Sequence, residues 1–130
     1  MPLPYPARIT KAYEVQYSDP LELPAGAAVE VGHDDPTFPG WKWCTASDGR
    51  QGWVPLELLS PDPRVPDRAH SSKDNYAARL LADYSARELA VHPGEPVTVE
   101  DARHAWLLVR NAEGQRGWIP ASHAEAIETV

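Results

Sequence analysis

The sequence predicts an all-β protein that consists of two small, similar barrels in tandem. A fifteen-residue stretch occurs twice, as WKWCTASDGRQGWVP at 41–55 and as WLLVRNAEGQRGWIP at 106–120. The offset is 65 positions throughout, so neither copy carries an insertion. A repeat of this kind indicates duplication of one structural unit. No segment has a helical period, and short strands between turn residues are typical of small barrels.

Each copy of the repeat has the pattern of a β-hairpin. Apolar and polar residues alternate on both sides of a turn, where Gly49 or Gly114 can adopt a positive φ. One face is expected to line a core, with Cys44 and Val54 in the first copy and Val109 and Ile119 in the second. The other face is expected to be exposed and apolar, a feature that usually marks a contact surface. Its predicted cross-strand pairs are Trp43 with Trp53 and Leu108 with Trp118.

The other strands follow the same order in both halves. In the first half, alternation predicts a first strand around Ile9–Val15, resumes at Leu21 and Leu23 after a turn, and predicts a second strand at Val29–Val31, followed by the two hairpin strands and Leu56–Leu59. The second half repeats this order with Leu80–Ala82, the alternating Leu89 and Val91, Val97–Val99, its hairpin and Ala121–Ile127. Without the short alternating stretches between the first and second strands, each half has five short strands. We divide the chain into a barrel at 7–59, a proline-rich linker at 60–76 and a second barrel at 77–128, with residues 1–7 as a loose arm.

Composition excludes several classes of function. The net charge is −7 and no basic stripe occurs, which disfavours nucleic acid as a partner. The single cysteine cannot form an internal disulfide and fits a reducing compartment. The N-terminus has no apolar signal-like region, and no run is long enough to span a membrane. We therefore expect a cytoplasmic protein without a membrane partner.

Several ordered motifs resemble the Src-homology-3 (SH3) family, including its bacterial variants. In the second half these are Leu80–Tyr84 (LLADY), Glu88–Glu95 (ELAVHPGE), Trp106 and Gly117–Pro120 (GWIP). In the first half they are Tyr17–Leu21 (YSDPL) and Ala25–Gly26. Together the two matches cover all but the arm, the linker and the last residues. The resemblance implies two five-stranded SH3-like barrels that bind proline-rich peptides in an aromatic groove.

The resemblance also implies which residues form each groove. In the second barrel they are Tyr84, Trp106, Pro120 and His123, with Glu88 as an acid for a ligand cation. In the first barrel they are Tyr13 or Tyr17, Trp41, Pro55 and Leu58, with Asp19 in the acidic role. Trp41 and Trp106 are expected to be the platforms on which proline rings pack. Ala82, Leu58 and His123 stand where that family usually has tyrosines, which implies altered specificity.

We expect non-catalytic binding of a protein or a proline-rich peptide segment. No nucleophile–base set, metal-ligand spacing or phosphate loop is apparent, so no catalytic residue, metal or cofactor is expected. One alternative is a cell-wall or glycan-binding module, because tryptophan surfaces also suit sugars. Another is a structural pair whose grooves are covered by the partner domain or the linker. A homodimer is a further alternative, as is self-contact with a linker motif of PxxPxR spacing at Pro63, Pro66 and Arg68.

Overall fold

The computed structural model describes residues 2–17, 19–61 and 75–127. Over these residues the chain is almost wholly β, and no helix in them is long and apolar enough to cross a membrane. Among the described residues, short 3₁₀ turns occur at Leu56–Leu58 and Ala121–His123. The strands are β1 (Tyr5–Ile9), β2 (Glu22–Leu23), β3 (Ala28–Asp34), β4 (Trp41–Ala46), β5 (Gln51–Pro55), β6 (Leu59–Pro61), β7 (Tyr76–Leu80), β8 (Tyr84–Ser85), β9 (Pro96–Arg103), β10 (Trp106–Arg110), β11 (Arg116–Pro120) and β12 (Ala124–Ala126).

The strands form antiparallel sheets in two compact units. Unit 1 comprises the described residues of 1–18 and 87–130, and unit 2 comprises 19–86 with the same restriction. Unit 1 contains a five-stranded sheet in the order β11-β10-β9-β1-β12. Unit 2 contains a five-stranded sheet in the order β5-β4-β3-β7-β6 and the short pair β2-β8. Each unit therefore combines strands from both halves of the sequence.

The first strand of each half pairs with the sheet of the other half. Strand β1 pairs with β9 and β12, with Ala7 opposite both Val97 and Ala126. Strand β7 pairs with β3 and β6, with Ala78 opposite both Val29 and Pro61. This arrangement differs from the consecutive barrels at 7–59 and 77–128 that the repeat predicts. Residues 1–7 also differ from the expected loose arm, because Tyr5–Ile9 forms a central strand of unit 1.

The exchange has a physical reason in the pattern of the two strands. Ala7 and Ile9 in β1 are buried at alternate positions, as are Ala78 and Leu80 in β7. Residues two apart on a strand point to the same face, so both strands offer one small and one larger apolar side chain to a core. In unit 1, Ala7 and Ile9 of β1 join a buried cluster of second-half residues: Leu89, Val91, Val97, Val99, Leu107, Val109 and Ile119.

The predicted hairpins are confirmed in their register. Trp43 lies opposite Trp53 in the pair β4-β5, and Leu108 lies opposite Trp118 in the pair β10-β11. The four residues expected in the cores are fully buried: Cys44, Val54, Val109 and Ile119. Side-chain alternation and the position of the turn are local properties, so the repeat was sufficient to predict them.

Both ends of the predicted linker at 60–76 belong to strands. Its first residues, Ser60 and Pro61, belong to β6, and its last, Tyr76, begins β7. Because β6 and β7 pair with each other, the segment between them connects two strands of unit 2. The PxxPxR motif at Pro63, Pro66 and Arg68 lies outside the described residues.

Candidate functional site

Unit 1 contains an aromatic cluster drawn from distant parts of the chain. The ring of Tyr13 stands edge-on to Trp106, with centroids 5.8 Å apart and an interplanar angle of 84°. It also stands edge-on to His123 at 5.7 Å and 89°. Trp106 lies opposite Pro120 at the end of the β10-β11 hairpin. We call the surface formed by Tyr13, Trp106, Pro120 and His123 the unit 1 groove.

The backbone positions each member of the unit 1 groove. Tyr13 lies in the N-terminal arm, defined here as residues 10–17, and exchanges two hydrogen bonds with Val91: Tyr13 N–H to Val91 O at 3.0 Å and Val91 N–H to Tyr13 O at 3.1 Å. His123 ends the 3₁₀ turn that follows Pro120, and its carbonyl accepts the Thr10 N–H at 2.8 Å. The arm is therefore attached to the second half of the chain at both of these points.

Glu88 is a buried acid that contacts the N-terminal arm. Its Oε2 accepts the Tyr13 hydroxyl at 2.8 Å, and its Oε1 accepts the Gln16 N–H at 2.6 Å. Glu88 is 8 % exposed, and a buried carboxylate is tolerated when its oxygens are hydrogen-bonded. Burial and the bond to Glu88 both raise the pKa of Tyr13 well above its ordinary value, so the hydroxyl stays protonated as a donor.

His123 contributes a half-buried ring with one unpaired atom. Its Nδ1 is buried and has no hydrogen-bond partner among the described residues. The ring contributes an aromatic surface next to Tyr13.

Unit 2 places the corresponding residues differently. Trp41 lies opposite Pro55, as Trp106 lies opposite Pro120, but Trp41 is 3 % exposed and Pro55 is fully buried. Leu58 is half-buried in the 3₁₀ turn Leu56–Leu58. Tyr84 is also buried and donates its hydroxyl to the carbonyl of Trp53 at 2.6 Å. The expectation that Trp41 is an exposed platform is therefore wrong.

The two tyrosines assigned to the grooves belong to the opposite units. Tyr13 was expected beside Trp41 and lies beside Trp106, whereas Tyr84 was expected beside Trp106 and belongs to unit 2. The reason is that β1 and β7 each pair with the sheet of the other half, so the tyrosines that follow them in sequence lie in that unit as well. Tyr17 is exposed in the N-terminal arm of unit 1, and Asp19 is exposed at the start of unit 2.

The outward faces of the hairpins differ as well. In unit 2 the half-buried Trp43 and Trp53 lie edge-on with centroids 4.9 Å apart, and His33 lies 6.3 Å from Trp43 in a stacked arrangement. An open pocket of about 420 Å³ adjoins them, lined by Glu30, Gly32, His33, Trp43, Thr45, Gln51 and Asn75. In unit 1 Trp118 is 5 % exposed, so the expected exposed patch is absent at that residue.

His33 was not anticipated as a member of this aromatic cluster. The sequence places it at the start of the loop HDDPTFPG, which suggested solvation. In the structure it belongs to β3, and its ring also stands edge-on to Trp53 at 5.5 Å. Alternation from the buried Val31 would place His33 on the core face, so the pattern alone could not place it beside Trp43 and Trp53. A β-bulge between Val31 and Asp34 changes which face it meets.

The remaining chemistry-bearing groups do not form a reactive site within the described residues. Cys44 is fully buried, and burial raises the pKa of its thiol to about 12. The thiolate is the reactive form, so this cysteine is inert near neutral pH. Within 2–17, 19–61 and 75–127, no group of three or more His, Cys, Asp or Glu side chains is placed to hold a metal ion.

Comparison with known families gives a match to part of the chain. A family model described as bacterial SH3 domain matches residues 82–124. SH3-type domains are generally non-catalytic binding modules, so the match indicates a binding module. The matched stretch begins in unit 2 and continues into unit 1, so the strand exchange divides it. Comparisons with curated proteins and with solved structures find no significant match.

Proposed function

We propose that this chain is a pair of SH3-like barrels that binds an extended protein segment, such as a proline-rich peptide, without catalysing a reaction. The observation that carries the proposal is the half-buried Trp106, which lies between Pro120 and the edge-on ring of Tyr13. A flat indole flanked by a proline and a tyrosine packs well against proline rings. A polyproline II segment shows the same face every three residues and loses little entropy on binding.

The proposal assigns binding to the unit 1 groove. The equivalent tryptophan of unit 2, Trp41, is buried, as is its neighbour Pro55. Because almost none of its surface is exposed, a ligand could contact this indole only after a local rearrangement of unit 2. The groove position of unit 2 is therefore closed. A closed groove position fits a structural rather than a binding role for unit 2.

A calorimetric titration with a neutral proline-rich peptide tests this assignment. Trp106→Ala is expected to weaken binding by at least about tenfold, since central aromatic anchors contribute most of the energy of such interfaces. Trp43→Ala is the matched control, because it removes a half-buried indole from unit 2 and leaves the unit 1 groove intact. Equal affinities for wild type and Trp106→Ala would contradict the proposal.

A second candidate function is supported by the pocket beside Trp43. An indole face together with Glu30, Thr45, Gln51 and Asn75 offers a stacking surface and several hydrogen-bonding groups. This combination suits a saccharide, which has an apolar ring face and many hydroxyls. The same two variants distinguish the candidates: titration with an N-acetylglucosamine tetramer is expected to depend on Trp43 and not on Trp106. A tetramer that gives no heat with wild-type protein would remove this candidate.

A further inference from the structure

Glu88 stands at the junction between the two halves of the chain in unit 1. Its two hydrogen-bond donors, the Tyr13 hydroxyl and the Gln16 N–H, lie 75 and 72 residues away in the sequence. Both belong to the N-terminal arm, whereas Glu88 precedes the buried Leu89 of the second half. One carboxylate therefore holds two points of the arm at once, three residues apart.

The first of these bonds sets the orientation of a groove residue. A tyrosine ring rotates about two side-chain bonds, and the bond from its hydroxyl to Glu88 restricts that rotation. In the observed orientation the ring meets both Trp106 and His123 by an edge. Loss of the bond would leave a buried carboxylate short of a partner and free the tyrosine to leave the groove.

The second bond holds the backbone beyond Tyr13. Glu14, Val15, Gln16 and Tyr17 are exposed, so burial of their side chains contributes little to holding this part of the arm. The short contact from the Gln16 N–H to Oε1 of Glu88 is a hydrogen bond to a charged acceptor, the stronger class of hydrogen bond. It keeps the exposed part of the arm next to the groove.

We propose that Glu88 is a positioning residue that assembles the unit 1 groove from the two halves of the chain, and that this groove consequently accepts uncharged rather than arginine-bearing peptide segments. The specificity part rests on the proposed function. Glu88 is the acid that the family resemblance assigns to a ligand cation. Its oxygens are directed at Tyr13 and Gln16 instead, and its 8 % exposure leaves little surface for a guanidinium.

Unit 2 offers an internal comparison for this assignment. Glu88 lies six residues before Gly94, and the residue six before the matching Gly26 is Pro20. Proline has no acceptor side chain, and the tyrosine of unit 2, Tyr84, donates its hydroxyl to the carbonyl of Trp53. Unit 1 thus has the carboxylate contact with the arm and a half-buried Trp106. Unit 2 has no carboxylate at the matching position, Pro20, and its Trp41 is buried.

The experiment combines hydrogen exchange with peptide binding in the full-length protein. Exchange of the Gln16 amide is measured in wild type, Glu88→Gln, Tyr13→Phe and Glu14→Gln. Two proline-rich peptides that differ by one arginine in place of alanine are then titrated into each variant. Glu14 is an exposed acid of the same arm outside the groove, so Glu14→Gln controls for the change of charge.

We expect the Gln16 amide to exchange roughly ten- to a hundredfold faster in Glu88→Gln, because the side-chain amide carries no charge and offers one acceptor oxygen to the two donors that Glu88 binds. The affinity for both peptides should fall by the same factor in that variant. Glu14→Gln should match wild type in both amide exchange and peptide affinity. Tyr13→Phe keeps the ring and should weaken both peptides by a smaller factor, which covers the case that Glu88→Gln does not fold. Wild type should prefer the uncharged peptide or bind both equally.

Two outcomes would overturn the inference separately from the proposed function. Unchanged exchange at Gln16 in Glu88→Gln would show that this residue does not position the arm. Weakened binding of the arginine peptide alone would show that Glu88 anchors a ligand cation. If wild type binds neither peptide, the proposed function fails and the specificity fails with it, whereas the exchange measurement still decides whether Glu88 positions the arm.

Discussion

Trp41 in unit 2 and Trp106 in unit 1 occupy the same position of the duplicated hairpin, yet their surroundings differ. Both open the first hairpin strand, and both lie opposite the closing proline, Pro55 or Pro120. Trp41 is 3 % exposed, whereas Trp106 is half-buried beside Tyr13 and His123. The preceding loop is three residues longer in unit 2, with 15 steps from Gly26 to Trp41 against 12 from Gly94 to Trp106. Duplicated residues therefore do not imply duplicated roles.

The tyrosines show the same divergence. Tyr13 lies four residues after the buried Ile9 at the end of β1, and Tyr84 lies four residues after the buried Leu80 at the end of β7, so the two tyrosines occupy equivalent positions in sequence. Tyr13 bonds a carboxylate and faces the unit 1 groove. Tyr84 is buried and bonds a backbone carbonyl. At these two positions unit 1 keeps a tryptophan and a tyrosine half-buried, whereas unit 2 buries both.

The largest expected effect concerns the connectivity of the two units. We insert a protease site between Pro61 and Asn75, where cleavage separates the two halves of the sequence. Because β1 pairs on both sides with second-half strands and β7 pairs on both sides with first-half strands, the fragments should stay together. Size-exclusion chromatography in native buffer should give one peak at the position of the intact chain.

Denaturant provides the control for that experiment, because the same cleaved sample should then separate into two fragments. Two peaks in native buffer would instead support consecutive barrels at 7–59 and 77–128. Reversal of the exchange would also assign Tyr13 to Trp41 and Tyr84 to Trp106, and the comparison of the units would have to be made again.

The two tryptophans should differ in their contribution to stability. Trp41→Ala is expected to lower the free energy of unfolding by about 3–5 kcal/mol, the range for removal of a buried large side chain. Trp106→Ala should cost about 1 kcal/mol, since part of its surface already meets water. Urea denaturation followed by far-ultraviolet circular dichroism measures both. Equal losses of stability would mean that the two environments are alike in solution.

A smaller effect than that of Trp41→Ala is expected at the two glycines that precede Trp53 and Trp118. A Cβ at Gly52 would lie 2.6 Å from the Cβ of Ala86, and a Cβ at Gly117 would lie 2.7 Å from backbone atoms of Glu88 and Leu89. Each Gly→Ala variant should therefore lose about 1–3 kcal/mol of stability. Adding Ala86→Gly should recover much of the loss in Gly52→Ala, because it removes the methyl group that is contacted.

Gly117→Ala is the matched control. Its added Cβ would clash with the backbone of Glu88 and Leu89, so no second side-chain substitution can restore the lost stability. Thermal unfolding of the single and double variants measures the coupling between positions 52 and 86. Additive losses in the double variant would contradict the contact and, with it, the assignment of Ala86 to unit 2.

Local features of the sequence predicted the two hairpins, whereas the first strand of each half lies earlier than predicted: β1 is Tyr5–Ile9 in place of Ile9–Val15, and β7 is Tyr76–Leu80 in place of Leu80–Ala82. The hairpin registers, the buried faces with Cys44 and Val109, and the turn glycines follow from alternation over a few neighbouring residues. The strand at Tyr5–Ile9 was missed in part, because its prolines suggested a loose arm. Proline removes one backbone donor, but Pro6 still occurs in β1, which shows how the sheet of unit 1 overrides a local preference.

The candidate site was predicted as a list of residues and not as an arrangement. Trp106, Pro120 and His123 were expected together, and the structure brings them together with Tyr13 in place of Tyr84. Glu88 was assigned to a ligand and bonds Tyr13 and Gln16 instead. Neither result could follow from spacing, because the contacts join residues more than seventy positions apart.

The amino-acid sequence by itself determined that the chain is β-rich, that its hairpin is duplicated and which side chains of each hairpin face inward, because alternation and turn chemistry act over a few residues. The tertiary structure alone decided which sheet receives β1 and β7, and hence which tyrosine meets which tryptophan. The two first strands carry nearly the same apolar pattern, so either fits either core by local criteria. The choice depends on the packing of whole units. In unit 1 Glu88 accepts hydrogen bonds from Tyr13 and Gln16, whereas Pro20 at the matching position of unit 2 has no acceptor side chain.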